Sequence, residues 1–290
     1  MSQPPERQTN RLLGYPDDAR LLIINADDLG MSHAANVAIL RAMRQGVVLS
    51  TSLMTPCPWA WEAMRLLREN PDLHFGVHLT LVCEGLDYRW GPLASKDRVR
   101  SLVDESGCFY SYDRIPVLLE QAKLDEVETE FRAQITTVLA AGLKPTHLDW
   151  HCLRNGGRDD IFDLTVRLAR EYGFAVRAYD EPYISQLQQR GLPADDHSLL
   201  DSYRLELATK PAEYAQLLRD LPAGLSEWAV HPGLNSEELR AIEPDSWQVR
   251  QTDYDFVMSP EAREIIRQEG IVLLSYQPLQ AVWQGENAQS

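Results

Sequence analysis

Seven apolar runs rich in Val, Ile and Leu recur along the chain: 19–26, 47–54, 74–81, 146–151, 174–179, 226–231 and 271–276. Helical patterns lie between most of them. One starts at Ser32 and stops at Gly46, and another ends at Asn70. A third, LDEVETEFRAQITTVLAAG, closes on Gly142, and RDDIFDLTVRLAREYG closes on Gly173. Ser, Asp or Pro in front and Gly behind are what orphaned helix termini need. Strands that alternate with helices return parallel, so the pattern predicts a parallel sheet wrapped by helices. With about seven units in 290 residues and no G-x-G-x-x-G, a barrel-like closure suits the chain better than an open doubly wound sheet.

The expected architecture is one α/β domain over 19–290, preceded by a polar N-terminal extension over 1–18. Two stretches break the rhythm. The segment 82–113 is too long for a simple connection and holds Tyr88, Trp90, Phe109, Tyr110 and Tyr112. The segment 181–210 reads as a second irregular insertion. At 44% hydrophobic residues the chain can bury a sizeable core.

Charge limits the partners. With 28 basic against 43 acidic residues, the formal charge is −15. A surface of that sign repels nucleic acid and anionic membranes, so a small neutral or cationic molecule is the expected partner. The N-terminus has no apolar leader, and no apolar run is long enough to span a bilayer. The four cysteines (Cys57, Cys83, Cys108 and Cys152) show no C-x-x-C spacing, so reduced thiols in a cytoplasmic protein are expected. By strand alternation Cys152 is expected to lie behind His151, away from any site. The oligomeric state is open, a homodimer included.

Polar residues interrupt the strands at one kind of place. LLIINADDLG ends in Asp27-Asp28, GVHLTL carries His78, PTHLDWH carries His147, Asp149 and His151, and WAVHPG ends in His231. In parallel α/β folds active sites gather at the carboxyl ends of strands, so four strands are expected to deliver Asp or His to one side. Each residue also has a plain reading: an N-cap and turn pair, a satisfied core histidine, a polar strand end. Period-2 spacing puts His147, Asp149 and His151 on one face. Two imidazoles with a carboxylate between them suit a divalent metal and the carboxylate that orients its ligand. One carboxylate and two imidazoles leave open positions on the ion, as hydrolytic sites require.

These segments carry a resemblance. LLIINADDLGMS (21–32), GVVLSTSLM (46–54), FGVHLTL (75–81), KPTHLDWH (144–151), VRA (176–178) and VHPG (230–233) resemble, in order, the YdjC-like carbohydrate deacetylases, a family that includes chitooligosaccharide deacetylase. The resemblance implies a distorted TIM-like (β/α) barrel that hydrolyses an N-acetyl group on an amino sugar or oligosaccharide and releases acetate. It implies one divalent ion, Mg²⁺ or Zn²⁺ with Mn²⁺ or Co²⁺ as further choices, held by Asp28, His78 and His151. Asp27 is then the general base and His231 the acid. Arg177, at its own strand end, is expected either to orient Asp27 or to form a structural salt bridge. His147, Asp149 and Trp90 are expected to bind substrate or support the ligands. The aromatics around Trp90 would stack on a sugar or form a satellite core. The chain departs from the family at Cys152-Leu153-Arg154, where many members carry further histidines, and at Leu29, where Phe is common.

Three other readings stay open on sequence. One is a binding module that keeps the fold without activity, although an intact Asp27, Asp28, His78, His151 and His231 set argues against it. The same site suits another small amide or ester. An Asp/His/His set also serves non-haem Fe(II) oxygenases, although those sites commonly sit on antiparallel barrels and strand–helix alternation argues against one here.

Overall fold

The structure, a computed structural model, describes residues 8–285. Its strands are β1 (Arg20–Leu29), β2 (Ser50–Leu53), β3 (Phe75–Leu79), β4 (Val82–Cys83), β5 (Tyr110–Ser111), β6 (His147–Trp150), β7 (Ala175–Val176), β8 (Leu200–Asp201), β9 (Gly224–Val230) and β10 (Val272–Leu274). Eight of these form one sheet in the order β7-β6-β3-β2-β1-β9-β8, with β10 also on β1. All its pairings are parallel, as the alternation predicts.

The barrel is distorted around β1. One edge of that strand pairs with β9 from Arg20 to Ala26. The other is shared: Leu21 to Ile23 lie on β10, and Asn25 to Leu29 lie on β2. At the far ends of the sheet no ladder joins β7 to β8 among the described residues. A single bond, Leu199 N–H to the Tyr179 carbonyl at 2.9 Å, spans the gap. The result is a curled, incompletely closed (β/α) barrel. Strand β8 lies inside the segment that sequence reading treats as an irregular insertion. It has two half-buried residues, too few to show a period.

The helices end where the sequence places them. Ser32 Oγ accepts from Ala35 N–H and starts helix His33–Gln45. Gly173, at φ 74°, closes helix Asp159–Tyr172, which buries Ile161, Phe162, Leu164 and Leu168 against the sheet. Each such side chain removed from water is worth about 1.5–3 kcal/mol. The segment 82–113 is organised by the β4–β5 ribbon and by buried Trp90, Val99, Leu102 and Phe109. Ahead of β1, helix Gln8–Leu12 is tied down by polar groups: Thr9 Oγ1 donates to the Ala194 carbonyl at 2.5 Å, and Asn10 Nδ2 donates to those of Pro16 and Ala19 at 2.8 and 3.0 Å. No helix among the described residues is long and apolar enough to cross a membrane.

Candidate active site

The carboxyl end of β1 carries a bulge. Asn25 and Ala26 pair with Ser50 and Thr51, but Leu29 pairs with Leu53, so β1 holds one residue more than β2 between the last two pairs. The extra residue is absorbed at Asp28, which takes φ 68°. That left-handed conformation costs a non-glycine residue on the order of 1–3 kcal/mol, and such outliers gather at functional sites. It cancels the alternation of the strand. Adjacent strand residues ordinarily point to opposite faces, yet Asp27 and Asp28 both approach the His78 ring, with Oδ2 of Asp27 at 3.9 Å and Oδ1 of Asp28 at 3.4 Å from Nε2.

His78, on β3, sits beside Asp149 of β6 in register, and Nδ1 donates to Asp149 Oδ1 at 2.8 Å. That bond leaves Nε2 facing Asp28. His151 follows β6 directly and puts Nδ1 3.1 Å from the same Asp28 oxygen. Asp28, His78 and His151 are all buried, and each offers a ligand atom within 4.8 Å of the others. With a neutral His78 ring, the Nε2 lone pair faces a carboxylate oxygen at 3.4 Å. Two acceptors so placed away from water need a cation or a proton between them. Burial pushes both imidazoles down, but their surroundings prevail. Asp149, Asp27 and Asp28 raise His78 to about 10, and Cys152 and Asp28 raise His151 to about 9. One carboxylate oxygen and two imidazole nitrogens therefore fit a divalent ion of borderline softness.

Asp27 is held by Arg177, whose Nη1 and Nη2 lie 2.8 and 2.9 Å from its two oxygens. Asn25 Nδ2 adds a bond to Oδ1 at 2.6 Å. Burial raises the Asp27 carboxyl, and the charges of Arg177 and His78 outweigh this and hold it below the usual carboxylate range. Arg177 also reaches Asp149 Oδ2 at 3.0 Å and Glu227 Oε1 at 2.7 Å, with no exposure of its own. One guanidinium thus orients three carboxylates.

These groups open into a cavity of about 590 Å³, within the range of small-molecule sites. His231, directly after β9, lines it, and its Nδ1 is hydrogen-bonded to Ser202 Oγ at 2.8 Å, which leaves Nε2 for whatever enters. A cleft of about 430 Å³ beside Val48, His74 and Leu274 holds none of the ligating clusters found among the described residues.

The YdjC-like protein family profile matches residues 21–268. The chain belongs to this family. Curated YdjC-like relatives named carbohydrate deacetylase include proteins of Brevibacillus brevis (31% identical, 89% of this chain and 99% of that one) and Thermus thermophilus (33%, 85% and 89%). Another is that of Thermoanaerobacter pseudethanolicus (28%, 89% and 98%). A crystal structure from Enterococcus faecalis, described as a candidate cellobiose-phosphate cleavage protein, superposes at a TM-score of 0.77 with 29% identity, over 90% of this chain and 99% of that one.

Within this YdjC-like fold, Asp27, Asp28, His78, His151 and His231 line one cavity, and Arg177 and Asp149 lie directly against them. His147 sits one layer deeper, stacked on Tyr276 at 3.8 Å between ring centres and pressed against Gly76, where a Cβ would come within 2.5 Å of the ring. Burial lowers it to about 3. It is a neutral core histidine and does not line the cavity. Trp90 is buried too: Nε1 donates to the Val82 carbonyl at 3.1 Å, and the ring backs His151 at 6.0 Å. The aromatics that face the cavity are Tyr112, Trp150, Tyr179 and Tyr203. Cys152 is not behind the site. At φ 59° it leaves the strand alternation and lines the cavity, with Sγ 3.3 Å from His151 Nε2.

Sequence reading missed Arg250. From helix Trp247–Met258 it lies 2.9 Å from Asp28 Oδ2 through Nη1 and 2.6 Å from Glu243 Oε1 through Nε. Asp253, on the same helix, accepts from the His231 backbone N–H at 2.8 Å and pairs with Lys210 at 2.6 Å. Neither stands out in a helix whose buried residues mix charged Arg250 and Asp253 with apolar Phe256 and Val257. The one trace in sequence is Gly233 of His-Pro-Gly, where a Cβ would lie 3.0 Å from Arg250 Cβ.

Proposed function

We propose that this chain is a divalent-metal-dependent carbohydrate deacetylase that hydrolyses an N-acetyl group on an amino sugar or oligosaccharide and releases acetate. The observation that carries the reading is the pairing of an Arg-clamped carboxylate, Asp27, with the buried Asp28, His78 and His151 set in one cavity. The curated names of YdjC-like relatives supply the reaction class.

Asp28, His78 and His151 would hold the ion. Their two imidazoles favour Zn²⁺, and the carboxylate with open positions also admits Mg²⁺, Mn²⁺ or Co²⁺. When bound, such an ion supplies Lewis acidity, easing deprotonation of water and polarising the acetamide carbonyl. Asp149 fixes the His78 tautomer, so that Nε2 keeps its lone pair for ligation. Asp27, kept ionised by Arg177, takes a proton from the attacking water. His231 donates one to the departing amine from Nε2, its ring held by Ser202. Tyr112 and Tyr203 offer flat apolar faces to a sugar ring.

The test is an acetate-release screen over N-acetylated mono- and oligosaccharides with several divalent ions. His151→Ala should lose both the ion and turnover. If ion stoichiometry and acetate release survive that change, the proposed site is wrong. Silence across the whole screen with an ion bound would move the activity to another amide or ester.

A further inference from the structure

His151 stands between two sets of donors. Its Nδ1 faces Asp28, as described. Its Nε2 lies 3.3 Å from Cys152 Sγ and 3.6 Å from Glu84 Oε1. Glu84, His151 and Cys152 can each offer a ligand atom within 4.8 Å of the others, and all three line the cavity. Arg250 Nη2 approaches both oxygens of Glu84, at 3.4 and 3.3 Å, and so fixes that carboxylate beside the ring. The sets differ in character. The Asp28 set offers oxygen and nitrogen. The Glu84 set offers sulfur as well, which favours thiophilic ions.

We infer that Glu84, His151 and Cys152 form a second cation site, selective for thiophilic ions such as Cd²⁺ or excess Zn²⁺, that competes with the Asp28 set for His151. A neutral imidazole has one lone pair, so it serves one ion at a time. Binding at the second site releases the thiol proton and the Nε2 proton of His151 to solvent, forms the sulfur–metal and Nε2–metal bonds, and leaves Nδ1 carrying the ring's remaining proton, so that it cannot ligate a second ion. The ion then blocks the cavity and withdraws one of the three donors of the Asp28 set. The site itself stands on its own geometry; the competition rests on the metal reading of the Asp28 set.

The experiment is a Cd²⁺ titration of the full chain, followed by the thiolate-to-cadmium charge-transfer band in the ultraviolet. Losing even an outer-shell partner of a metal site costs about 10–100-fold in affinity, so Cys152→Ser should weaken the binding by at least that much and remove the band. Cys108→Ser, which alters the other partly exposed cysteine, should keep both. A band that persists in Cys152→Ser, or no band in the wild type, overturns the site. Competition is read without any turnover. The chain is loaded with Mn²⁺ and its release is followed by electron paramagnetic resonance as Cd²⁺ is added. Release should begin at lower Cd²⁺ in the wild type than in Cys152→Ser. Equal midpoints overturn the competition. Failure of Mn²⁺ to bind at all counts against the Asp28 set, while the band still decides the Glu84 set.

Discussion

Replacing Arg177 by Met would remove the guanidinium and keep most of the volume. Three carboxylates lose their partner: Asp27 at 2.8 Å, Asp149 at 3.0 Å and Glu227 at 2.7 Å. At an effective dielectric constant of about 20, each contact carries roughly 5–6 kcal/mol of gross attraction. Desolvation offsets most of that. Breaking a buried pair by deleting one member costs about 3–5 kcal/mol net, and with three carboxylates orphaned the upper end is expected. With a denaturant slope of about 3 kcal/mol per molar urea, the unfolding midpoint would fall by roughly 1.5 M.

The pH dependence has a definite sign. In the wild type, Asp27 and Asp149 lie below their unfolded values, because Arg177 and His78 outweigh burial. Their contribution is present above pH ~4 and fades as pH falls below it. In the variant, burial acts unopposed by Arg177 and lifts both groups. Groups lifted in the folded state lose their contribution as pH rises through the folded value. The gap between wild type and variant should therefore widen from about pH 5 to pH 8. Glu227, which burial raises to about 7 against the pull of Arg177, adds to the trend. Urea unfolding in EDTA at both pH values measures it. A loss under about 1 kcal/mol, or a gap that widens on acidification, would refute the claim that Arg177 is the counter-charge of this core.

Three further outcomes follow from the same geometry. Asp27→Asn should keep the bound ion while acetate release drops about 100-fold or more, the scale of general base catalysis; unchanged turnover would remove Asp27 as the base. Ion binding should release about two protons near pH 7, because the metal-free His78 and His151 are raised to about 10 and about 9 and a ligating imidazole is neutral. Calorimetry in buffers of different ionisation enthalpy reads this, and no net release would contradict the charged pair. Gly76→Ala would put a methyl 2.5 Å from the buried His147 ring, an overpacking worth about 1–3 kcal/mol. A smaller residue at 147 should recover part of it, and a melting temperature equal to wild type would show that the layer is loose.

Much of this was legible from residue order. The seven apolar runs all carry strands, and Ser32 and Gly173 end helices where capping chemistry puts them. Asp27, Asp28, His78, His151 and His231 stand at or just beyond carboxyl ends of strands, because that is where a parallel sheet gathers polar residues. Strand β8 escaped because two residues carry no period, and it brings Ser202 to His231.

Local periodicity determined the elements and the side of the molecule to which the chemistry belongs. It could not determine where the pleat is broken. Left-handed backbone at Asp28 and Cys152 turns one carboxylate and one thiol into the cavity, and packing around them, not their own preference, holds that conformation. Nor could it find every counter-charge. Arg177, 150 residues from Asp27, is named from the sequence as a candidate to orient it. Arg250 approaches Asp28 from a helix late in the chain. A buried carboxylate takes whichever cation the fold brings within about 3 Å, and only the tertiary structure decides which one that is.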